Sequence, residues 1–286
     1  MIVDILRRAK RNLLTGGFAK TVSLFLTDIG EEKGVFQHPI GKYLVNLSFD
    51  LEFGFGTTFW GQDIEKALSY GKISRTNLTP IVNFLREEVI PANVQIVAAL
   101  LDSDIKTTSV FNARQQKMMR EQANLFRLTE EDIAILKSHK LEIRLHGYSH
   151  RHFTNLSETE AEKEMLLATE IFQKKFHNQP EFMAFPKNDI AHTDIIRKYG
   201  IKSWRSDKEH TISRFGVPLG HWFAPGVLGQ NDLKKLLSAI KEMRQGYFLH
   251  LWGHFTEMDV DVLERLVEVI KEAGWEFTTV KDFKKY

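Results

Sequence analysis

The sequence predicts an α/β protein, a distorted (β/α) barrel of about seven parallel strands preceded by a helical extension. From Tyr43 onward, short apolar runs alternate with longer amphipathic segments, a pattern typical of parallel β/α units. Neither GxGxxG nor GxxxxGK[ST] occurs at a strand-to-helix turn, so two dinucleotide-binding units fit less well than one barrel. We therefore divide the chain into an extension, residues 1–40, and a barrel domain, residues 41–286.

The predicted elements follow in order along the chain. Apolar runs predict seven strands, over Leu44–Phe49, Val94–Leu100, Glu142–Leu145, Phe182–Phe185, Ile201–Trp204, Tyr247–Leu251 and Glu276–Thr279. Amphipathic spacing predicts helices around Leu78–Glu88, Asn112–Leu125, Thr129–Ser138, Glu158–Lys175, Thr193–Tyr199, Asp232–Met243 and Asp259–Ala273. A capping signature marks one helix start, since Ser157 stands three residues before Glu160.

The composition excludes several classes of function. The chain has 286 residues, of which 43% are hydrophobic and 27% charged, as in ordinary globular proteins. It contains no cysteine, which excludes disulfides, thiolate metal sites and cysteine nucleophiles. A net charge of +2 is too balanced for a nucleic-acid-binding surface, so we expect no nucleic-acid partner.

Residues 1–40 differ in pattern from the rest of the chain. Apolar residues recur there at helical spacing between basic ones, and Gly16-Gly17 ends the pattern. Two interpretations stay open: a helix packed on the outside of the domain, and a basic amphipathic segment that lies on an anionic membrane surface. Neither a signal peptide nor a membrane span is recognisable, so we expect a cytoplasmic protein with this segment as its candidate peripheral membrane contact.

Charged and imidazole side chains follow three of the predicted strands. Asp50 and Glu52 end the first strand and are two residues apart, so they point the same way. Neighbouring carboxylates favour either a cation between them or solvent around both, and both interpretations stay open. His146 and His150 follow the third strand, and a helical turn there would place both imidazoles on one face, suited to one divalent ion. His250 and His254 lie on a late strand, and His250 is the better placed of the two for general acid chemistry.

The order and separation of Ser48-Phe49-Asp50-x-Glu52, His146-x-x-x-His150 and Leu249-His250 resemble those of the polysaccharide deacetylase superfamily. This carbohydrate esterase group includes chitin, peptidoglycan and nodulation-oligosaccharide deacetylases. The resemblance is greater to a branch with Asp-x-Glu in its first motif, often found with surface-polysaccharide synthesis. The segment Phe182–Asp189 is similar to a third motif of that branch, with Lys187 in place of an arginine.

The resemblance implies a divalent metal ion, Zn²⁺ above all, held by Glu52, His146 and His150. It implies that metal-bound water attacks an acetyl carbonyl, with Asp50 as general base and His250 as general acid. The implied activity is removal of an acetyl group, most simply an N-acetyl group, from a sugar or polysaccharide precursor. Weaker candidates for substrate contact are Trp60, Tyr148, Lys187, Asn188, Arg205, Trp252 and His254.

Three differences from the family pattern keep other functions open. Leu51 replaces a second aspartate, Gly147 replaces a serine or threonine, and the motif arginine is missing unless Lys187 or Arg205 substitutes for it. One alternative is an inactive relative that binds metal or sugar without turnover. Another is a deformylase or cyclic amidohydrolase that uses the same metal site.

Overall fold

A computed structural model describes residues 44–60, 63–103, 110–137, 141–205, 221–222, 248–256 and 258–283. The extension, residues 1–40, and the helix predicted over Asp232–Met243 lie outside these described residues. The division of the chain at residue 41 therefore stays a prediction.

Within the ranges that the structure describes, eight parallel strands form one curled sheet, a half-barrel with helices around it, and the predicted barrel-like α/β fold is confirmed. The strands are β1 Leu44–Leu51, β2 Ala92–Ile96, β3 Leu141–Leu145, β4 Phe182–Ala184, β5 Ser203–Arg205, β6 His221–Trp222, β7 Phe248–His254 and β8 Glu276–Phe277. Their order is β5-β4-β3-β2-β1-β7-β6, and β8 pairs with the beginning of β1. The two-residue strand β6 is the one that the apolar runs did not predict, because it is too short to show a period.

The helices are α1 Thr57–Trp60, α2 Ile64–Glu87, α3 Ala113–Glu121, α4 Glu130–Lys137, α5 Glu158–Phe176, α6 Thr193–Lys198, α7 Val260–Glu272 and α8 Val280–Phe283. Short 3₁₀ turns lie over Phe53–Phe55, Ala98–Leu101, Ala123–Leu125, Phe153–Asn155 and Pro186–Asn188. In the described part of the chain, no helix has both the length and the apolar character needed to span a bilayer.

Strand β1 lies at the centre of the sheet and is buried along its whole length. Its apolar side chains, Val45, Leu47, Phe49 and Leu51, belong to the hydrophobic core. The alternate positions carry Asn46, Ser48 and Asp50, which are also buried. Gln95 of β2 donates a hydrogen bond to Ser48 Oγ at 2.9 Å, so this polar face is paired within the sheet. A row of polar side chains therefore leads along β1 to the carboxylate at its carboxyl end.

Helix α2 begins fourteen residues earlier than predicted, at Ile64 rather than Leu78. Asp63 caps it by accepting a hydrogen bond from the Lys66 backbone N–H at 3.1 Å. Gly71 weakens the helical pattern in the sequence, but its position in the fold explains why a glycine stands there. A Cβ atom there would lie 3.1 Å from the backbone nitrogen of Gly54, so glycine lets the helix pack closely against the turn after β1.

Helix α5 begins at the predicted capping box. Ser157 accepts a hydrogen bond from the Glu160 backbone N–H, and the Glu160 carboxylate accepts one from the Ser157 backbone N–H. The helix then runs to Phe176 and buries the face that contains Ala161, Glu164 and Met165. The cap therefore sets the start of the helix that contacts the candidate site.

We expect Ser157→Ala to lower the free energy of unfolding by about 1 kcal/mol, because it removes this cap. Urea unfolding, with an unchanged m-value, measures the loss. Ser69→Ala is the matched control, since Ser69 is exposed in the interior of α2 and the change there is expected within ~0.5 kcal/mol. Equal losses in the two variants would contradict the role of the cap.

Candidate active site

The carboxyl ends of β1, β3, β5 and β7 bring the candidate residues together. Asp50 is in register with Gln95 on one side and with His254 on the other. Leu145, the last residue of β3, is in register with Ile96 of β2, and His146 follows it directly. Since parallel strands end at the same edge of a sheet, side chains far apart in the sequence meet there.

The segment from His146 to His150 is an irregular loop, so the helical turn expected after β3 is not formed. Gly147 has φ of 72° and His150 has φ of 63°. At Gly147, a Cβ atom would also lie 3.3 Å from Pro186, so glycine serves the turn where relatives carry a hydroxyl residue. The two imidazoles still converge, with ring centroids 4.8 Å apart, because the loop rather than a helix brings them together.

Glu52 is the carboxylate around which the imidazoles gather. Its Oε1 atom lies 2.9 Å from His150 Nε2, 3.2 Å from His146 Nε2 and 3.4 Å from His254 Nε2. Gly56 leaves space for the other carboxylate oxygen, because a Cβ atom there would lie 2.9 Å from Glu52 Oε2.

The donor set of Glu52, His146 and His150 fits a divalent metal ion. His146 Nδ1 lies 2.9 Å from the Ala184 carbonyl oxygen and donates to it, which leaves the Nε2 lone pair directed at Glu52. His150 is buried; its Nε2 atom faces Glu52 Oε1, and its Nδ1 atom has no hydrogen-bond partner among the described residues. Ligand atoms about 2.1 Å from one ion lie roughly 3.4 Å apart, close to the distances of 2.9 Å and 3.2 Å from Glu52 Oε1 to the two imidazole nitrogens.

The environment shifts the pKa values of two of the candidate ligands, Glu52 and His150. Burial opposes ionisation of Glu52, but the charges of His150 and His254 hold its pKa well below the usual value. Burial lowers the pKa of His150 in spite of the neighbouring Glu52 carboxylate. An ionised carboxylate and a neutral imidazole are the binding forms of the two groups.

Arg205 takes the place of the arginine that is missing from the third motif. Its Nη2 atom donates to Asp50 Oδ2, and its Nε atom donates to Asn188 Oδ1 at 3.3 Å. The guanidinium lies over the Trp252 ring, 4.2 Å from the centroid. Lys187 is exposed, with φ of 55°, and no described contact brings it to the site. Of the two substitutes considered, the structure therefore selects Arg205.

Asp50 is buried beside the candidate metal ligands and is held by Arg205. Burial would raise the pKa of its carboxyl group, but the charge of Arg205, with His146, holds that pKa below its usual value. Its Oδ2 atom is 3.6 Å from His146 Nε2, and its Oδ1 atom accepts no hydrogen bond from the described residues. One oxygen is therefore anchored and the other is available to accept a proton.

The strand register favours His254 over His250, the general acid that the resemblance implied. His250 is in register with Asn46, whereas His254 is in register with Asp50. Four residues of parallel strand separate the two backbone positions by about 13 Å. His254 also lies beside Glu52 and is partly exposed, so His254 is the histidine of β7 at the site. The choice between His250 and His254 depends on the pairing of β7 with β1, which the sequence does not show.

The remaining predicted substrate contacts divide by burial. Tyr148 is fully buried and donates a hydrogen bond to Asp102 Oδ2 at 2.9 Å, so its ring packs in the core and that prediction is corrected. Asn188 and Trp252 are buried around Arg205, where they support the guanidinium. Trp60 is half-buried beside the His146–His150 loop and donates to the Ser149 carbonyl oxygen at 2.9 Å. Trp60 alone among these four is half-buried rather than buried.

Comparison with known proteins gives a match to one protein-family model and similarity to solved structures. The family model described as polysaccharide deacetylase matches residues 66–204, a stretch that contains His146 and His150. Asp50, Glu52 and His254 lie outside that stretch, and Arg205 directly follows it. Among curated proteins, the comparison finds no match.

Two similar solved structures share the fold of this chain. The Bc1960 peptidoglycan N-acetylglucosamine deacetylase has a TM-score of 0.51 at 14% identity, over 87% of this chain and 91% of that one. A CE4 family pseudoenzyme from Bacillus anthracis, BA3943, has a TM-score of 0.50 at 13% identity, over 86% of this chain and 66% of that one. The match over residues 66–204 confirms the resemblance to the polysaccharide deacetylase family that the motifs indicated, whereas the branch linked to surface-polysaccharide synthesis stays a prediction.

Proposed function

We propose that this protein is a metal-dependent deacetylase that removes an N-acetyl group from a sugar or polysaccharide precursor. The carrying observation is the convergence of Glu52, His146 and His150 beside an aspartate that a buried arginine holds. Two nitrogen donors and one oxygen donor form the set that catalytic Zn²⁺ sites use, so we propose zinc as the ion. The similarity to a peptidoglycan N-acetylglucosamine deacetylase supports an acetylated amino sugar as the substrate class.

The side chains divide the chemistry of amide hydrolysis between them. A divalent ion, when bound, polarises the acetyl carbonyl and lowers the pKa of a coordinated water molecule. Asp50, next to the ligands but anchored by Arg205, accepts the proton from the attacking water. His254, partly exposed at the edge of the site, protonates the amine as it leaves.

The structure also bears on the non-catalytic alternative. Pseudoenzymes share this fold, as BA3943 shows, and a mutant of that protein has restored enzymatic activity. In the present chain the candidate base, the two histidines and the arginine partner are all present at one place. This arrangement favours turnover over binding alone.

Acetate release from an N-acetylated chito-oligosaccharide is the test of the proposed function. We expect activity with one equivalent of Zn²⁺, loss of activity with a chelator, and recovery when Zn²⁺ is returned. Bound zinc without acetate release from any acetylated sugar would support an inactive relative. Release of formate from a formylated substrate would instead identify a deformylase.

Substitutions of the base and of a ligand are expected to separate metal binding from chemistry. His146→Ala should lose the metal ion because it removes a ligand, whereas Asp50→Asn should keep the ion and lose about 10²–10⁴-fold in kcat. Elemental analysis and acetate release measure the two effects. His177→Asn is the control, since His177 is exposed and asparagine tolerates its left-handed backbone, φ 56°. Loss of metal in Asp50→Asn would mean that the roles of Asp50 and Glu52 are reversed.

Replacement of Arg205 tests the anchoring of the base. Arg205→Lys keeps the charge but loses the planar donor group that reaches Asp50 and Asn188 together. We expect kcat to fall about 10–100-fold with the metal content unchanged, because the base is less well oriented. Arg86→Lys, at an exposed arginine of α2, should leave kcat unaltered. Wild-type kcat in Arg205→Lys would show that Asp50 does not need a guanidinium that also binds Asn188.

A further inference from the structure

The loop that presents the two histidines, residues 146–150, has no regular backbone hydrogen bonding of its own. Two of its residues, Gly147 and His150, have positive φ angles. A backbone of this kind keeps one shape only when its surroundings hold it, and His150 is not a residue that favours that region. What holds the loop therefore decides how the two imidazoles are placed.

One side of the loop is held through its carbonyl oxygens. The 3₁₀ turn after β2 donates from Ala98 N to Gly147 O at 3.0 Å and from Ala99 N to Tyr148 O at 2.8 Å. Trp60 Nε1 donates to the Ser149 carbonyl oxygen at 2.9 Å. Three consecutive carbonyl groups of the loop are thus paired with donors from two other elements.

The opposite side is held by a single buried carboxylate, Glu164 of α5. Its Oε2 atom accepts hydrogen bonds from the backbone N–H groups of Tyr148, at 3.2 Å, and Ser149, at 3.0 Å. Its Oε1 atom accepts from the Ser149 hydroxyl at 2.5 Å. Glu164 is 1% exposed, so solvent does not compete for these contacts.

Three donors converge on the end of the Glu164 side chain, so both of its terminal atoms must be hydrogen-bond acceptors. An ionised carboxylate offers acceptors alone, whereas the amide of glutamine places an NH₂ donor at one of the two positions. A glutamine at residue 164 would therefore oppose either the two backbone N–H groups or the hydroxyl with another donor. The chemistry of the loop selects glutamate over its uncharged isostere.

We infer that Glu164 is a positioning residue that holds the His146–His150 loop in the shape in which both imidazoles meet Glu52. It contacts neither histidine, and it acts through the backbone and side chain of the two residues before His150. This inference rests on the proposed function for its consequence, metal affinity. The set of hydrogen bonds from the loop to Glu164, which we call the clamp, is a property of the folded chain and can be measured without metal.

The test compares Glu164→Gln with Glu170→Gln, the same change at an exposed position of the same helix. In metal-free protein we expect the amide hydrogens of Tyr148 and Ser149 to exchange at least about tenfold faster in Glu164→Gln, because their acceptor is lost. Zinc affinity, measured by competition with a chromophoric chelator, should fall about 10–100-fold, the range for residues that orient metal ligands. Glu170→Gln should match the wild type in both measurements, and circular dichroism confirms that both variants fold.

Unchanged exchange together with unchanged zinc affinity in Glu164→Gln would overturn the inference. If the wild-type protein binds no zinc, the proposed function fails, and the exchange measurement still decides whether Glu164 clamps the loop. Should Glu164→Gln not fold, Ser149→Ala removes one donor and leaves the carboxylate with its two backbone N–H partners. Faster exchange of the amide hydrogen of residue 149 in that folded variant supports the clamp, and a wild-type exchange rate there contradicts it.

Discussion

The candidate site depends on the parallel register of β1 with its two neighbours, because that register decides which side chains meet. Asp50 at the end of β1 lies level with Gln95 of β2 and with His254 of β7. Through β2 the same register brings the end of β3, and so His146, to the edge where Glu52 begins its turn. A shift of one residue in β1 would turn Asp50 and Ser48 to the apolar face and bring Phe49 to the site.

Two carboxylates lie close together in this buried site, and the fold gives each of them different partners. Glu52 is surrounded by imidazoles, whereas Asp50 is paired with a guanidinium. These partners come from the ends of β3, β7 and β5, so neither carboxylate is left as an uncompensated buried charge. This division of partners is the physical basis of the separate roles, ligand and base, that we propose for Glu52 and Asp50.

Much of the site was predictable because the signals are local. An Asp-x-Glu pair at a strand end and two histidines four residues apart are visible in a single segment each. The capping box at Ser157 was equally local, and α5 begins there. The start of α2 was not predictable in this way, because Gly71 lowers the helix propensity there. Only the packing of Gly71 against Gly54 explains why a glycine stands within the helix.

The sequence by itself determined the α/β class, the family resemblance and the pairs Asp50–Glu52 and His146–His150, because each depends on residues close in the chain. Only the tertiary structure decided that Arg205 anchors Asp50 across 155 positions, that His254 lies level with Asp50, and that Tyr148 is a core residue. It also assigned Glu164, an ordinary helix glutamate in the sequence, to the histidine loop. These outcomes follow from strand register and helix docking, which join segments far apart in the chain and leave no periodic or local pattern in it.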